Sequence, residues 1–304
     1  MTVLEQLPES SRVALIRLRS LGDCVLTTPA LSLLKQFRPD LSLGVSVEER
    51  FRAVFEGNPA VTALLPPTWQ GLRAWKPALC VNLHGGTRSQ WMMALSGAKF
   101  RAGFANHSVT LAYNLRIPRA QRILGVHRTV HTAEHLASAV FALGVPIRDV
   151  PRGELFCAES PLSGKYAVLH PFASAPDKQW PAERFCEVAR YLQLWNIKPV
   201  FLLGPEDEAD RFLAHQVFRG SLEEVKQILS KACLFIGNDS GPAHMAAAFG
   251  VSAAVLFGNS NPAIWGPWRT ECEIVVAPDG IRNVSVSRVI AALERLRIFQ
   301  EAHA

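Results

Sequence analysis

Four short segments hold the residues whose types and spacing suit chemistry on an anion. The first is Arg17-Leu18-Arg19-Ser20-Leu21-Gly22-Asp23, followed by Thr27-Thr28-Pro29-Ala30-Leu31. Gly22 permits a tight turn, the helix start beyond it favours anions, and Asp23 is placed where a carboxylate could face a cleft. An aspartate there is equally well read as an ordinary helix N-cap. The second segment, His170 to Pro181, carries Ser174 and Lys178 in a small-residue loop that ends at a proline suited to a first helical turn. Loop donors, one ammonium and a helix terminus make a plausible diphosphate cradle, although an exposed surface loop has the same composition. The third, Gly237 to Ala248, runs Asn238-Asp239-Ser240-Gly241-Pro242-Ala243-His244. Backbone donors at Ser240 and Gly241 suit phosphate, and Asp239 suits sugar hydroxyls. His244 falls on a first helical turn, reaching a ligand or serving the packing. The fourth joins Phe257-Gly258-Asn259-Ser260-Asn261-Pro262 to Trp265-Gly266-Pro267-Trp268, a ligand-lining loop or a packed turn. Neither GxGxxG nor GxxxxGK[ST] occurs, so the usual dinucleotide and P-loop readings have no motif behind them.

The elements that must position these segments read as an alternation of buried strands and amphipathic helices. Strands are predicted at Val13–Ile16, Leu43–Val47, Val61–Leu65 and Leu79–Leu83, with helices from about Val25 to Phe37 and over Thr132–Leu143. The pattern then restarts, with strands at Tyr166–His170, Pro199–Leu203, Leu234–Gly237 and Ala253–Phe257. Helices are predicted at Pro181–Trp195, Glu206–His215, Leu222–Lys231, Pro242–Phe249 and Val286–Leu296. Pro146–Gly164 reads as the linker region. The expectation is two doubly wound, Rossmann-like α/β domains, 1–155 and 156–304, with ligands at the carboxyl ends of the strands and in the interdomain cleft.

Bulk composition narrows the class. The 304 residues are 49% hydrophobic and 19% charged, which supports a folded chain rather than a disordered one. The formal net charge of +6 points to an anionic partner without choosing among nucleic acid, membrane and phosphorylated substrate. Six dispersed cysteines without a CxxC pair argue against a disulfide framework or a thiolate metal cluster. Met1–Arg12 lacks the apolar core of a signal peptide, and Ala246–Gly258 is too short to span a bilayer, so a cytoplasmic chain is expected. His131 and His135 have the spacing of zinc ligands on a helix but lack the His-Glu-x-x-His order and a third ligand. With no Asp-x-Asp motif either, no metal and no cofactor is expected.

Taken together, the four segments resemble glycosyltransferase family 9, the ADP-heptose:lipopolysaccharide heptosyltransferases, and the resemblance spans almost the whole chain. It rests on R-x-S-L-G-D-x-(four residues)-P-A-L ending at Leu31, and on K-x-W-P at Lys178–Pro181. It rests further on D-S-G-P-x-H-x-A-A-A at Asp239–Ala248 and F-G-x-(S/T)-x-P-x-x-W-G-P at Phe257–Pro267. The resemblance implies a GT-B fold, with an N-terminal acceptor-binding domain and a C-terminal nucleotide-sugar domain. It implies an inverting, metal-independent heptosyltransferase in which Asp23 is the general base. It further implies donor binding by Lys178, Ser174, Asp239, Ser240, Gly241 and His244, and an acid facing the adenosine at Glu206 or Glu208. The chain departs from the family pattern at Asn259, where Pro is common, at Ala243, where Met is common, and in a short stretch between Gly204 and Ser221.

The reaction expected from the resemblance moves a heptose from ADP-heptose, the nucleotide-sugar co-substrate, to a lipopolysaccharide inner core or related glycan. Alternatives are the same machinery on another nucleotide sugar and acceptor, or a GT-B protein that binds without turnover. A nucleic-acid binder rests on charge alone, because no helix-turn-helix, RNP or zinc signature supports it. The charge is unevenly spread. Met1–Ser160 holds 18 Lys+Arg against 11 Asp+Glu, and Pro161–Ala304 holds 14 against 15. Between Glu56 and Glu134 there is no acid and there are nine basic residues. Arg116, Arg119 and Arg122 within that stretch, and Arg19, are therefore expected to meet an anionic lipid-linked glycan acceptor. Peripheral contact with the cytoplasmic face of the inner membrane follows from the same charge.

Overall fold

In the computed structural model, which describes residues 1–105, 112–276 and 280–300, the chain divides into two units, Met1–Phe156 and Cys157–Ala304. The first unit contains β1 (Arg12–Ile16), α1 (Leu21–Phe37), β2 (Ser42–Ser46), β3 (Ala63–Leu65), α2 (Trp69–Trp75) and β4 (Leu79–Asn82). It continues with α3 (Thr87–Ala94), β5 (Phe100–Phe104), β6 (Leu115–Ile117), α4 (Ala120–Leu124) and α5 (Thr132–Leu143). Its strands are all parallel, in the order β3-β2-β1-β4-β5-β6. A parallel sheet covered on both faces demands apolar strands throughout, and Val13 to Ile16 are all fully buried. Right-handed crossovers put α1 on one face and α2 and α3 on the other, because the sheet grows outward from β1 first toward β3 and then, through β4, toward β6. Helix α1 packs on α5. Ala14 and Ile16 face the opposite layer and pack with Leu72 of α2 and with Met92 and Met93 of α3.

The second unit contains β7 (Tyr166–His170), α6 (Ala182–Leu194), β8 (Lys198–Leu202), β9 (Gln216–Phe218), α7 (Leu222–Ser230) and β10 (Leu234–Asn238). It closes with α8 (Gly241–Phe249), β11 (Ala253–Phe257), α9 (Pro262–Trp265), β12 (Cys272–Val276), α10 (Val286–Leu293) and α11 (Arg297–Gln300). Its sheet, also parallel, has the order β12-β11-β10-β7-β8-β9. Ala167 and Leu169 of β7 share a buried cluster with Trp180, Phe185, Val188 and Leu293.

Each sheet reverses its direction of growth once, between β1 and β4 in the first unit and between β7 and β10 in the second. Loops leaving neighbouring strands on either side of such a reversal diverge and leave a crevice at the carboxyl ends. The four loops so defined follow Ile16, Asn82, His170 and Asn238.

Two expectations are corrected. Helix α1 begins at Leu21 rather than Val25, so Asp23 lies inside its first turn, not before it. Glu206–His215 is not a helix: it holds only a 3-10 turn at Asp210–Phe212 before β9 begins. Asp207 accepts a hydrogen bond from the Gly204 backbone N–H at 2.6 Å, which closes a turn. The Arg219 guanidinium then donates to the carbonyls of Pro205 (2.9 Å) and Asp207, acceptors that a helix would need for itself. No helix among the described residues is long and apolar enough to cross a membrane.

Candidate active site

In the first unit the crevice is built by the loops after β1 and β4. Ser20 is the N-cap of α1, and Asp23, three residues on, accepts from the Ser20 backbone N–H at 3.4 Å and from its hydroxyl at 3.1 Å. These two bonds from Ser20 hold the carboxylate at the helix start. The other carboxylate oxygen lies 3.5 Å from Arg17 Nη1, with the Arg17 side chain only 7% exposed and that of Asp23 21%. Burial pulls the Arg17 guanidinium below its ordinary value, and the Asp23 charge acts the other way. Arg17 Nε has no hydrogen-bond partner. Arg19 is exposed beside this pair.

The β4 loop brings a residue that the sequence analysis did not select. Asn82, fully buried, accepts from the backbone N–H groups of His84 (3.0 Å) and Gly85 (3.1 Å) and donates to Ser89 Oγ (3.0 Å) and Tyr113 Oη (3.2 Å). That network presents His84 to the Arg17–Asp23 pair. Burial first, then the positive charges of Arg17 and Arg19, lower the His84 pKa from 6.5, while Asp23 opposes the shift. The signal available in the sequence was a histidine directly after a buried strand and before Gly85-Gly86.

Arg116 is in β6, Arg119 caps α4 and Arg122 lies within it, and all three are exposed. Strand β6 is three places from β1 in the sheet, so at the usual spacing these residues stand roughly 14 Å along the carboxyl edge from Asp23. Arg119, Gln121 and His135 line a recess of about 450 Å³, and the His135 ring stacks on Phe104 with centroids 4.0 Å apart. Not all the basic residues of this stretch are available to a ligand. Arg128 pairs with Glu134 at 2.6 Å, Arg88 with Glu48 at 3.3 Å, and Arg101 donates to the carbonyls of Ala112 and Ala98.

In the second unit three predicted segments meet, because β7, β10 and β11 are neighbours and their loops leave the same edge. Lys178 ends a 3-10 turn over Pro176–Lys178, and its Nζ lies 3.4 Å from Asp239 Oδ2. Buried Asn238 ties the same loops together, accepting from the Trp180 backbone N–H at 3.1 Å and donating to the Pro171 carbonyl at 2.7 Å. The Trp180 indole donates to the Val284 carbonyl at 2.9 Å and anchors the loop from below. From the third loop, Asn259 donates to Asp177 at 3.2 Å. Gly258 permits this approach, since a Cβ there would stand 3.0 Å from the Asp177 carbonyl oxygen.

Ser240 caps α8, and Gly241 opens it. The Ser240 hydroxyl, like that of Ser260, is buried without a hydrogen-bond partner. An unsatisfied hydroxyl at a helix start, with a second on the loop after β11, is suited to an incoming anion. Ser260 was not among the predicted binding residues. His244 is buried on the first turns of α8, and Ser174 is exposed on the β7 loop. A pocket of about 340 Å³ opens beside this loop, lined by Phe172, Trp180, Glu208, Arg211, Phe212 and Arg282 among others. Glu208 faces that pocket, whereas Glu206 is exposed and does not line it. Among the described residues, no three His, Cys, Asp or Glu side chains come together as a metal site.

Comparison with known proteins gives a consistent picture. The profile of glycosyltransferase family 9 (heptosyltransferase) matches residues 67–287. Lipopolysaccharide heptosyltransferase 3 of Escherichia coli K12 is 26% identical over 294 residues, covering 81% of this chain and 82% of the relative. The crystal structure of a family 9 glycosyl transferase from Veillonella parvula superposes with a TM-score of 0.83 at 23% identity, over 97% of this chain and 99% of that one. Escherichia coli ADP-heptose lipopolysaccharide heptosyltransferase II superposes at 0.81 and 16% identity, over 96% and 100%. These likenesses establish the two-unit α/β architecture as the GT-B kind.

Proposed function

The chain belongs to glycosyltransferase family 9, and from that premise we propose that it transfers a heptose from ADP-heptose to a lipopolysaccharide inner core or a related glycan. The observation that carries the reading is the Lys178–Asp239 pair at the β7–β10 crevice, next in sequence to the unsatisfied hydroxyl of Ser240 at the start of α8. As the bond between the anomeric carbon and the diphosphate breaks, negative charge builds on the departing β-phosphate oxygen. Lys178 and the N–H groups at the start of α8 supply preorganised positive potential there, a role that in other enzymes falls to a metal. The chemistry is accordingly proposed as metal-independent.

The acceptor hydroxyl attacks the anomeric carbon from the face opposite the diphosphate, giving inversion. Asp23 takes the hydroxyl proton as the new C–O bond forms, and ADP leaves. Its attachment to Ser20 and Arg17 holds the carboxylate in one orientation, which favours in-line attack. Glu206 or Glu208 serves the adenosine, and Arg19, Arg116, Arg119 and Arg122 serve an anionic acceptor. The acceptor is lipid-borne in this reading, which sets the work at the cytoplasmic face of a membrane.

Titration calorimetry with ADP-heptose, ADP-glucose and UDP-glucose tests the donor. The expected result is saturable binding strongest for ADP-heptose and weakened in Lys178→Met. Equal affinity for all three, unaffected by Lys178→Met, would overturn it.

A further inference from the structure

Helices α2 and α3 lie side by side on one face of the first sheet, and their outward surface is unusual for a water-exposed layer. Trp91 of α3 and Leu95, the residue that caps its C-terminus, are 60% and 43% exposed; on α2, Trp69 is 39% exposed. Three of the large apolar side chains that this chain leaves in water thus fall on two adjacent short helices. Around them stand Arg73, Lys76 and Lys99, all exposed, with no carboxylate partner among the described residues. Glu48, which reaches Arg88 of α3, is shared between Arg50 and Arg88 at 3.0 and 3.3 Å. From 57 to 133 the chain supplies no Asp or Glu at all, so neither helix contributes one negative charge.

A surface of indoles and a leucine on helices that carry cations and no acid of their own has a specific complement. Trp sits favourably at the headgroup level of a bilayer, apolar body inward and N–H toward water. Lys and Arg gain from the negative potential of an anionic leaflet. A protein partner would have to bring a matching acidic rim, and a second copy of this chain offers the same cations and would repel itself.

We propose that the outward face of α2 and α3, centred on Trp69, Trp91 and Leu95, docks the protein on an anionic phospholipid bilayer. This rests on the reading above in one respect, that the acceptor is lipid-borne, and it gives that reading a surface. The layer lies on the face of the sheet away from α1 and α5.

The test uses the full chain with vesicles of phosphatidylglycerol and phosphatidylcholine in sedimentation. The wild type is expected to pellet with the anionic vesicles, to release as salt rises, and not to pellet with pure phosphatidylcholine. Trp91→Ser with Leu95→Gln should lower the vesicle partition by about tenfold or more, and Arg73→Glu with Lys76→Glu should do the same. Transfer to a delipidated acceptor should be unchanged in both variants. Wild-type chain that ignores anionic vesicles, or variants that bind them like wild type, would overturn the docking surface. So would variants whose only change is loss of a dimer in sedimentation velocity. If transfer is absent while vesicle binding behaves as described, the failure belongs to the proposed reaction and not to the surface.

Discussion

The ammonium of Lys178 lies 3.4 Å from the carboxylate of Asp239, across two loops that leave neighbouring strands of the second sheet. The Lys178 side chain is one-third exposed and Asp239 only 11%, so the acid holds a charge that still faces outward. A binding site built this way has its cation oriented before the anion arrives, which reduces the ordering cost of capture.

Lys178→Met should therefore weaken ADP by roughly 10- to 100-fold, the size of a lost charge-assisted hydrogen bond of about 1.5–3 kcal/mol. Adenosine, which has no phosphate, should lose almost nothing. Calorimetry with the two ligands checks this, and equal losses for both would place Lys178 on the nucleoside or in the scaffold. Ser240→Ala and Ser260→Ala should each cost a few-fold on ADP.

Asp23→Asn keeps the volume of the side chain and removes its basicity. Turnover should fall by about 10²- to 10⁴-fold while ADP affinity stays within a factor of about two. Because Asp23 also neutralises buried Arg17, the variant should melt lower as well. Rates measured well below the melting transition separate the two effects, and near-normal turnover there would remove Asp23 from the chemistry.

Arg116, Arg119 and Arg122 are exposed at the sheet edge and belong to the first unit, whereas the ADP contacts are proposed in the second. Reversing all three charges should raise the acceptor KM by roughly tenfold or more and leave the donor KM unchanged. Initial rates with each substrate varied in turn provide the check. An equal rise in both would mean that the cluster supports the fold rather than the acceptor.

His84 gives the account a pH signature. Burial, Arg17 and Arg19 lower its pKa in the folded chain below the 6.5 of the free side chain, so the folded state resists protonating it. Its contribution to stability is fully present above pH 6.5 and is lost as pH falls through that value toward the lower folded pKa. Half-buried His170 and His215 are lowered for the same first reason and act with the same sign. Melting temperature should thus drop as pH falls below 6.5. His84→Gln should make that drop shallower, and an unchanged slope would show that His84 does not titrate with folding.

Most of the scaffold was legible where burial alone decides. Val13–Ile16, Tyr166–His170 and Ala253–Phe257 are continuous apolar runs, and the observed strands match them almost residue for residue. What escaped were elements whose apolar run is broken or very short: β5 and β12 are five residues long but carry Arg101 and Glu273. Strands β6 and β9 have three residues each at sheet edges, and α2 is interrupted by Gly71. The Glu206–His215 segment misled for a different reason. Its spacing suits a helix, but Asp207 and Arg219 capture the backbone groups that the helix requires.

Asp23, Lys178, Asp239 and Ser240 were readable as candidates because they sit in motifs near the ends of readable strands. His84, Asn238 and Ser260 could not, because their importance lies in which loops they face. Asn238 looks like one more strand residue until Trp180 and Pro171, some 58 and 67 positions away, are seen bonded to it.

The central claim is heptose transfer with Asp23 as base, and one assay addresses it directly. The chain is incubated with ADP-heptose and a lipopolysaccharide core lacking its heptose, and both ADP and the extended acceptor are quantified by mass spectrometry. The account predicts equal amounts of the two products, with the new linkage inverted relative to the donor, and their loss in Asp23→Asn. Absence of an extended acceptor from the wild type, or its formation at the wild-type rate by Asp23→Asn, would contradict it.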